Sequence, residues 1–255
     1  MSEPAESATR AIALIDLTNL NDDCTPEDIN QLCADAKTPV GPVAAVCVWP
    51  RFVAQAKRLL AGSDVKVATV VNFPAGSTDI KATMHETKDC IANGADEIDL
   101  VMPYRAFAEG DKATAESMIR TIRATTDGSA ALKVILETGE LADASLINEA
   151  SKIALEEGAD FIKTSTGKVN INATLEAAQI MMTAIREFGD RARGFKPAGG
   201  IRTMEDANAY LAIADDLMGE GWASKETFRF GASGLLTNLL AHLDLSDSDG
   251  SDADY

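Results

Sequence analysis

The chain has 255 residues, 46% of them hydrophobic, enough to bury a full core either as one large α/β barrel or as two domains. Forty acidic residues (40) against 23 basic ones leave a formal charge of −17, a surface that repels nucleic acid and anionic membranes. No apolar run reaches membrane-spanning length and MSEPAESATR has no signal-peptide segment. The four cysteines (Cys24, Cys33, Cys47, Cys90) form no C-x-x-C pair, so free thiols in a cytoplasmic protein are expected.

Strand-like apolar runs recur along the whole chain: IALIDL (12–17), AAVCV (44–48), VKVATVV (65–71), EIDLVM (97–102), LKVILE (132–137), FIKTS (161–165), GFKPA (194–198) and RFGAS (229–233). Helical patterns lie between them. The first has Thr25 as N-cap, Pro26 at the first helical position and Asp28 closing a capping box, with Ile29, Leu32, Cys33 and Ala36 on one face. A later one carries Ile80, Met84, Thr87 and Ile91 and stops at Gly94; another carries Leu175, Ala178, Met182 and Ile185. Strands alternating with single helices imply parallel pairing through right-handed crossovers, and eight such units at this length predict a single (β/α)8 barrel. An open doubly wound sheet is the alternative, but no G-x-G-x-x-G follows the first strand. The acidic SDSDGSDADY that ends the chain has the composition of an unfolded segment, which divides the chain into a barrel (1–245) and a flexible tail (246–255).

Charges interrupt five of the strands: Asp16, Asp99, Lys133, Lys163 and Lys196. Both faces of a barrel strand are covered, so such groups must pair, titrate or meet a substrate. A lysine at a strand end can also snorkel to solvent, and the five together can be a purely structural ion-pair network. An internal echo sharpens the pattern. Gly94-Ala95-Asp96 and Gly158-Ala159-Asp160 precede two strands 64 residues apart, and the fifth residue after each glycine is Asp99 or Lys163. Alternate strands fill the same interior layer, so these two side chains should face each other across the barrel.

Lysine is a nucleophile only when neutral, and its ordinary pKa of about 10.4 leaves roughly one amine in a thousand neutral near pH 7.4. Burial or a second cation lowers that value. Lys163 and Lys196, near the ends of neighbouring strands, provide such a pair. The neutral amine could attack a carbonyl; the iminium would act as an electron sink, and a carboxylate such as Asp99 could carry the proton.

Glycines cluster after the last three strands, as Gly167-Lys168, Gly199-Gly200-Ile201-Arg202 and Gly231-Ala232-Ser233-Gly234. Backbone N–H groups and helix N-termini at these strand ends are the usual phosphate site of this architecture, although any one glycine pair is first of all a turn. STGKV lacks the leading glycine of a Walker A loop, because Ile162 occupies its place, and HETKD has no second histidine. With His85 and His242 the only histidines and the cysteines scattered, no metal site is expected. Cys47 reads either as a reactive thiol or as a small buried residue.

DFIKTSTGK, LKVILETGEL, GFKPAGGIRT, NFPAG, ADEIDLVMPYRA and LIDLTNLNDD together resemble the deoxyribose-phosphate aldolases, from about Ile12 to Leu240. The resemblance implies a TIM barrel and a class I aldolase without cofactor or metal. Such an enzyme cleaves 2-deoxy-D-ribose 5-phosphate reversibly to D-glyceraldehyde 3-phosphate and acetaldehyde, in deoxynucleoside breakdown. By the same resemblance, Lys163 is the Schiff-base lysine, Lys196 the neighbour that lowers its pKa and Asp99 the proton-relay acid. Asp16 and Lys133 complete the polar interior, and Cys47 lies beside the substrate. Gly167, Lys168, Gly199, Gly200, Arg202, Gly231 and Ser233 hold the phosphate. The family often reads GASS where this chain has Gly234 in the last place, which removes a hydroxyl but keeps the backbone. Some members end in a tyrosine that enters the site, a role that would fall to Tyr255, and homodimers are common. The partners implied are phosphorylated sugars and aldehydes, with no nucleic acid or membrane. Three rivals share features of this reading. A pyridoxal-phosphate enzyme would also use a lysine imine beside a phosphate cup, a barrel isomerase would work by acid and base alone, and a non-catalytic binder would keep only the glycine loops.

Overall fold

The computed structural model describes residues 3–190 and 192–243. The expected boundary between barrel and tail, and Tyr255, lie outside them. Eight parallel strands form the interior: β1 (Ile15–Asn19), β2 (Ala45–Val48), β3 (Lys66–Val71), β4 (Glu97–Val101), β5 (Ala131–Ile135), β6 (Phe161–Lys163), β7 (Gly194–Lys196) and β8 (Phe230–Ala232). Every expected strand is present. The sheet runs β8-β1-β2-β3-β4-β5-β6-β7, and its ends meet through parallel bridges Phe195–Phe228 and Ala198–Gly231. The single (β/α)8 barrel is therefore the observed architecture, and no edge is left open between β7 and β8 for another chain to pair with.

The principal helices outside the strands are α1 (Glu3–Ala13), α2 (Pro26–Asp35), α3 (Val53–Leu59), α4 (Ile80–Ala92), α5 (Tyr104–Ala108), α6 (Lys112–Thr126), α7 (Thr138–Leu141), α8 (Ala144–Glu156), α9 (Leu175–Phe188), α10 (Met204–Met218) and α11 (Leu235–His242). The capping box of α2 forms as expected: the Thr25 hydroxyl accepts from the Asp28 N–H, and the Asp28 carboxylate accepts from the Thr25 N–H at 2.8 Å. Ile29, Leu32, Cys33 and Ala36 are buried under it. Two expectations shift. Ile12 and Ala13 belong to α1, and the first strand begins only at Ile15. Leu175 at the start of α9 is 46% exposed, so the buried face of that helix runs through Ala177, Ala178, Met181, Met182 and Ile185.

Both faces of the strands are covered, and β2, β4, β6, β7 and β8 are buried along their full lengths. An amine or carboxylate on the inward side of these strands is therefore largely removed from water.

Candidate active site

The echo between β4 and β6 has the geometry expected of it. The Lys163 amine donates to Asp99 Oδ2 at 2.7 Å from the strand next but one. The hydrogen-bonded register runs Asp99–Lys133–Phe161, two residues short of Lys163. Strand tilt in a barrel with a shear of about eight over eight strands adds one residue per strand, and this brings Lys163 level with Asp99. On β7, Lys196 lies in direct register with Lys163 and donates to the same Asp99 Oδ2 at 2.8 Å. The two amines thus share one acceptor oxygen and can be no further apart than those two bonds laid end to end.

Around them lies a closed ionic network. Lys133 donates to the other Asp99 oxygen at 3.0 Å, to Glu97 at 2.5 Å, and lies 3.4 Å from Asp16. Lys196 donates to Asp16 Oδ2 at 2.5 Å. Arg229, just before β8, donates to Asp16 Oδ1 at 2.6 Å and to Glu97 at 2.8 and 3.2 Å. The network holds three carboxylates (Asp16, Glu97, Asp99) and four basic groups (Lys133, Lys163, Lys196, Arg229), none of them more than 5% exposed. Glu97 and Arg229 are absent from the sequence-based set. Their signal was present: Glu97 stands two residues before Asp99 and so on the same strand face, and Arg229 opens the RFGAS run.

Proton affinities divide these groups. Burial pushes the Asp99 carboxyl up, but Lys133, Lys163 and Lys196 outweigh it and hold Asp99 well below the usual range. Asp16 is likewise held down, by Lys196, Lys133 and Arg229 against its burial. Burial pulls Lys196 and Lys133 down, but their carboxylates win and both end above the ordinary lysine value. Lys163 alone of the three lysines falls below it. Burial is the largest cause there, Asp99 opposes it, and Lys196 adds to it. Of the two causes expected, burial and a neighbouring cation, both act and burial is the larger.

Above the network opens a cavity of about 260 Å³. All seven expected phosphate residues line it: Gly167, Lys168, Gly199, Gly200, Arg202, Gly231 and Ser233. Lys163 lines it too, whereas Lys133, Lys196, Asp99 and Asp16 do not. The wall also contains Thr18, Leu20, Asn21 and Thr166, whose residue types gave no signal in the sequence. Gly199 has φ +84°, and a Cβ there would meet Asn172 Cβ at 2.7 Å, so the close approach of these two loops requires glycine. Gly234 is the N-cap of α11 and makes no side-chain cap bond. Lys168 reaches across the mouth to Asp22 at 3.4 Å, with its amine 5.9 Å from the Trp49 ring.

Cys47 is buried on β2, packed with Leu20, Ala45, Ala68 and Val70, and outside the cavity wall. Burial raises its thiol, so the thiolate is disfavoured. A buried carboxyl outside the network, Glu137, follows β5 in the left-handed region (φ 59°, ψ 57°) and accepts from the Thr166 N–H at 3.1 Å. It thereby ties the β5 loop to the β6 loop that carries Gly167 and Lys168.

This arrangement can form a covalent imine at the cavity floor while an anion is held at the rim. The chain matches the profile of the DeoC/LacD family aldolases over residues 10–238. The chain belongs to that family. A deoxyribose-phosphate aldolase of Agrobacterium fabrum is 54% identical over 242 residues, covering 94% of this chain and 93% of the relative. The resemblance read from the motifs is thus shown over nearly the whole length. Among solved structures, a Coccidioides immitis protein provisionally described as a deoxyribose-phosphate aldolase is 32% identical, with a TM-score of 0.81, covering 92% of this chain and 86% of that one. The deoxyribose phosphate aldolase of Aeropyrum pernix, described as a tetramer, shares the fold at 23% identity and a TM-score of 0.75, covering 96% and 94%. Among the described residues, no helix is long and apolar enough to cross a membrane.

Proposed function

We propose that this family member is a class I aldolase that cleaves 2-deoxy-D-ribose 5-phosphate reversibly to D-glyceraldehyde 3-phosphate and acetaldehyde, in deoxynucleoside breakdown, with Lys163 as the Schiff-base lysine. One observation carries the assignment. Lys163 is the only lysine of the buried network that reaches the cavity, and it is the one whose proton affinity is lowered. A Lys196 mechanism would need an amine that is wholly buried and held protonated by Asp16 and Asp99.

In this reading the neutral Lys163 amine attacks C1 of the open-chain sugar, and loss of water gives an iminium. The 3-hydroxyl gives up its proton and the C2–C3 bond breaks, its electron pair moving into the iminium as an enamine. Glyceraldehyde 3-phosphate leaves. The enamine is protonated at C2, and hydrolysis of the resulting imine releases acetaldehyde. Asp99, bonded to Lys163 and Lys196 together, is placed to pass protons between the amine and the chamber. The glycine-rich rim, with Lys168 and Arg202, takes the phosphate. A cytoplasmic homodimer and a proton-transfer role for Tyr255 are parts of the same proposal, to be checked by solution mass and by Tyr255→Phe kinetics.

Borohydride reduction in the presence of acetaldehyde, followed by peptide mass mapping, tests the mechanism. One ethyl adduct on Lys163 is expected. An adduct elsewhere removes Lys163 from this role, and no adduct overturns the mechanism in favour of acid–base isomerase chemistry or simple binding. Release of acetaldehyde from the phosphorylated sugar, measured in parallel, tests the substrate.

A further inference from the structure

Beneath the reactive amine, we propose that Arg229 and Glu97 are positioning residues whose opposed charges set how readily Lys163 gives up its proton, Arg229 favouring the neutral amine and Glu97 the ammonium. This rests on Lys163 being the imine-forming lysine. Neither residue lines the cavity, so neither reaches a substrate; both act through the network.

The argument is one of charge and connectivity. Arg229 is held on one side by the Asp16 and Glu97 carboxylates, on another by the Lys225 carbonyl, and its guanidinium lies 5.5 Å from the Phe161 ring. A guanidinium does not lose its proton in a protein, so Arg229 is a fixed positive charge. A dry chamber is most stable when its charges cancel. Three carboxylates of the network face four basic groups, so protonating all four leaves one positive charge in excess. Connectivity decides which proton is held least. Lys133 lies within ion-pair distance of Glu97, Asp99 and Asp16; Lys196 of Asp16 and Asp99; Arg229 of Asp16 and Glu97. Lys163 has Asp99 alone. The other titratable groups that act on Lys163 are Lys196 on β7, Cys47 on β2 and Glu137 after β5. Lys163 is therefore the cheapest proton to lose, and it is cheap because Arg229 already occupies part of the carboxylate supply. Without Arg229, three lysines would face three carboxylates and Lys163 would keep its proton. Without the Glu97 charge, the surplus of positive charge would grow and Lys163 would lose its proton more readily.

The test is the pH dependence of borohydride trapping of acetaldehyde on Lys163. Wild type is compared with Arg229→Met, Arg229→Lys, Glu97→Gln and the double variant Glu97→Gln/Arg229→Met, each checked for folding. Trapping follows the neutral amine, so its midpoint marks the Lys163 equilibrium. Arg229→Met should move the midpoint up by about one pH unit, cutting trapping near pH 7 by about tenfold. Glu97→Gln should move it down, Arg229→Lys should leave it near wild type, and the double variant should return it close to wild type. Should Arg229→Met not fold, the downward shift in Glu97→Gln and its reversal in the double variant carry the test. A purely structural role predicts lower yields at every pH with unmoved midpoints; that result, or shifts of the same sign in the two single variants, overturns the proposal. Absence of any wild-type adduct on Lys163 would instead overturn the aldolase reading and this inference with it.

Discussion

At the floor of the cavity, seven ionisable side chains converge from β1, β4, β5, β6, β7 and the start of β8, and none is more than 5% exposed. At the rim, a few residues away along the same strands, the wall is rich in glycine, and Gly167, Lys168, Gly200, Arg202, Ser233 and Gly234 are all exposed. The contrast follows from what each layer must do. In the proposed reaction the floor holds a neutral amine beside a carboxylate, which needs charges at fixed distances in a medium that does not screen them. Rigid strands supply that. In the same proposal the rim admits and releases a hydrated anion, which needs N–H donors, close backbone approach and access to water.

Four substitutions and one titration would break or sharpen this contrast. Lys163→Met, which keeps the length and removes the nucleophile, should lower turnover by at least about 10³-fold while the barrel stays folded, as read by steady-state kinetics and circular dichroism. Unchanged turnover would leave the floor without a catalytic role. Asp99→Asn should cost about 10²–10⁴-fold in kcat. It should also lower unfolding free energy by about 3–5 kcal/mol, because three lysines lose a shared buried carboxylate. A stability loss without a kinetic one would make the network purely structural.

Acid titration addresses the floor without a mutation. Asp16 and Asp99 have folded-state values below the ordinary carboxylate value, about 3.9 in an unfolded chain. Their contribution is therefore complete above that pH and is lost as pH falls toward their folded values. The urea midpoint should hold between pH 7 and about 5, then drop steeply below about pH 4. A flat profile there would mean the two carboxylates are not ionised in the native state.

At the rim the effects should be smaller and confined to the phosphorylated substrate. Gly199→Ala forces a Cβ to 2.7 Å from Asn172 at φ +84°, and should raise KM for deoxyribose 5-phosphate about tenfold while sparing the acetaldehyde adduct on Lys163. Lys168→Ala removes an exposed ion pair to Asp22 and should change stability by less than about 0.5 kcal/mol. It should raise KM a few-fold for the phosphorylated sugar and leave the unphosphorylated one unchanged. An equal loss for both sugars would remove Lys168 from phosphate recognition.

Much of this was legible before folding, and the gaps have physical causes. A lysine or aspartate inside an apolar strand is conspicuous, because burial of a lone charge is costly. Lys163, Lys196, Asp99, Asp16 and Lys133 stood out for that reason. Glu97 and Arg229 did not, because they sit at the first residue of a strand and just before one, where a charge normally reaches solvent; only closure of the barrel shows that neither does. Thr18, Leu20, Asn21 and Thr166 enter the wall because the β1 and β6 loops open into one mouth, and nothing in their chemistry announces this. Cys47 was legible as a position on β2, but its place outside the cavity wall was not.

What the residues alone determined is the alternation of strands and helices, and with it parallel pairing, since period and capping are local properties set by side-chain shape and hydrogen bonding within a few residues. They also determined which strands carry charge inward, because side chains alternate faces with a period of two. What only the tertiary structure decided is the partner list. Strand tilt and closure bring Asp99 level with Lys163, give Lys196 two carboxylates and Lys163 one, and seal Arg229 beneath them. Proton affinity depends on those distances and on the exclusion of water, and neither exists until the barrel closes.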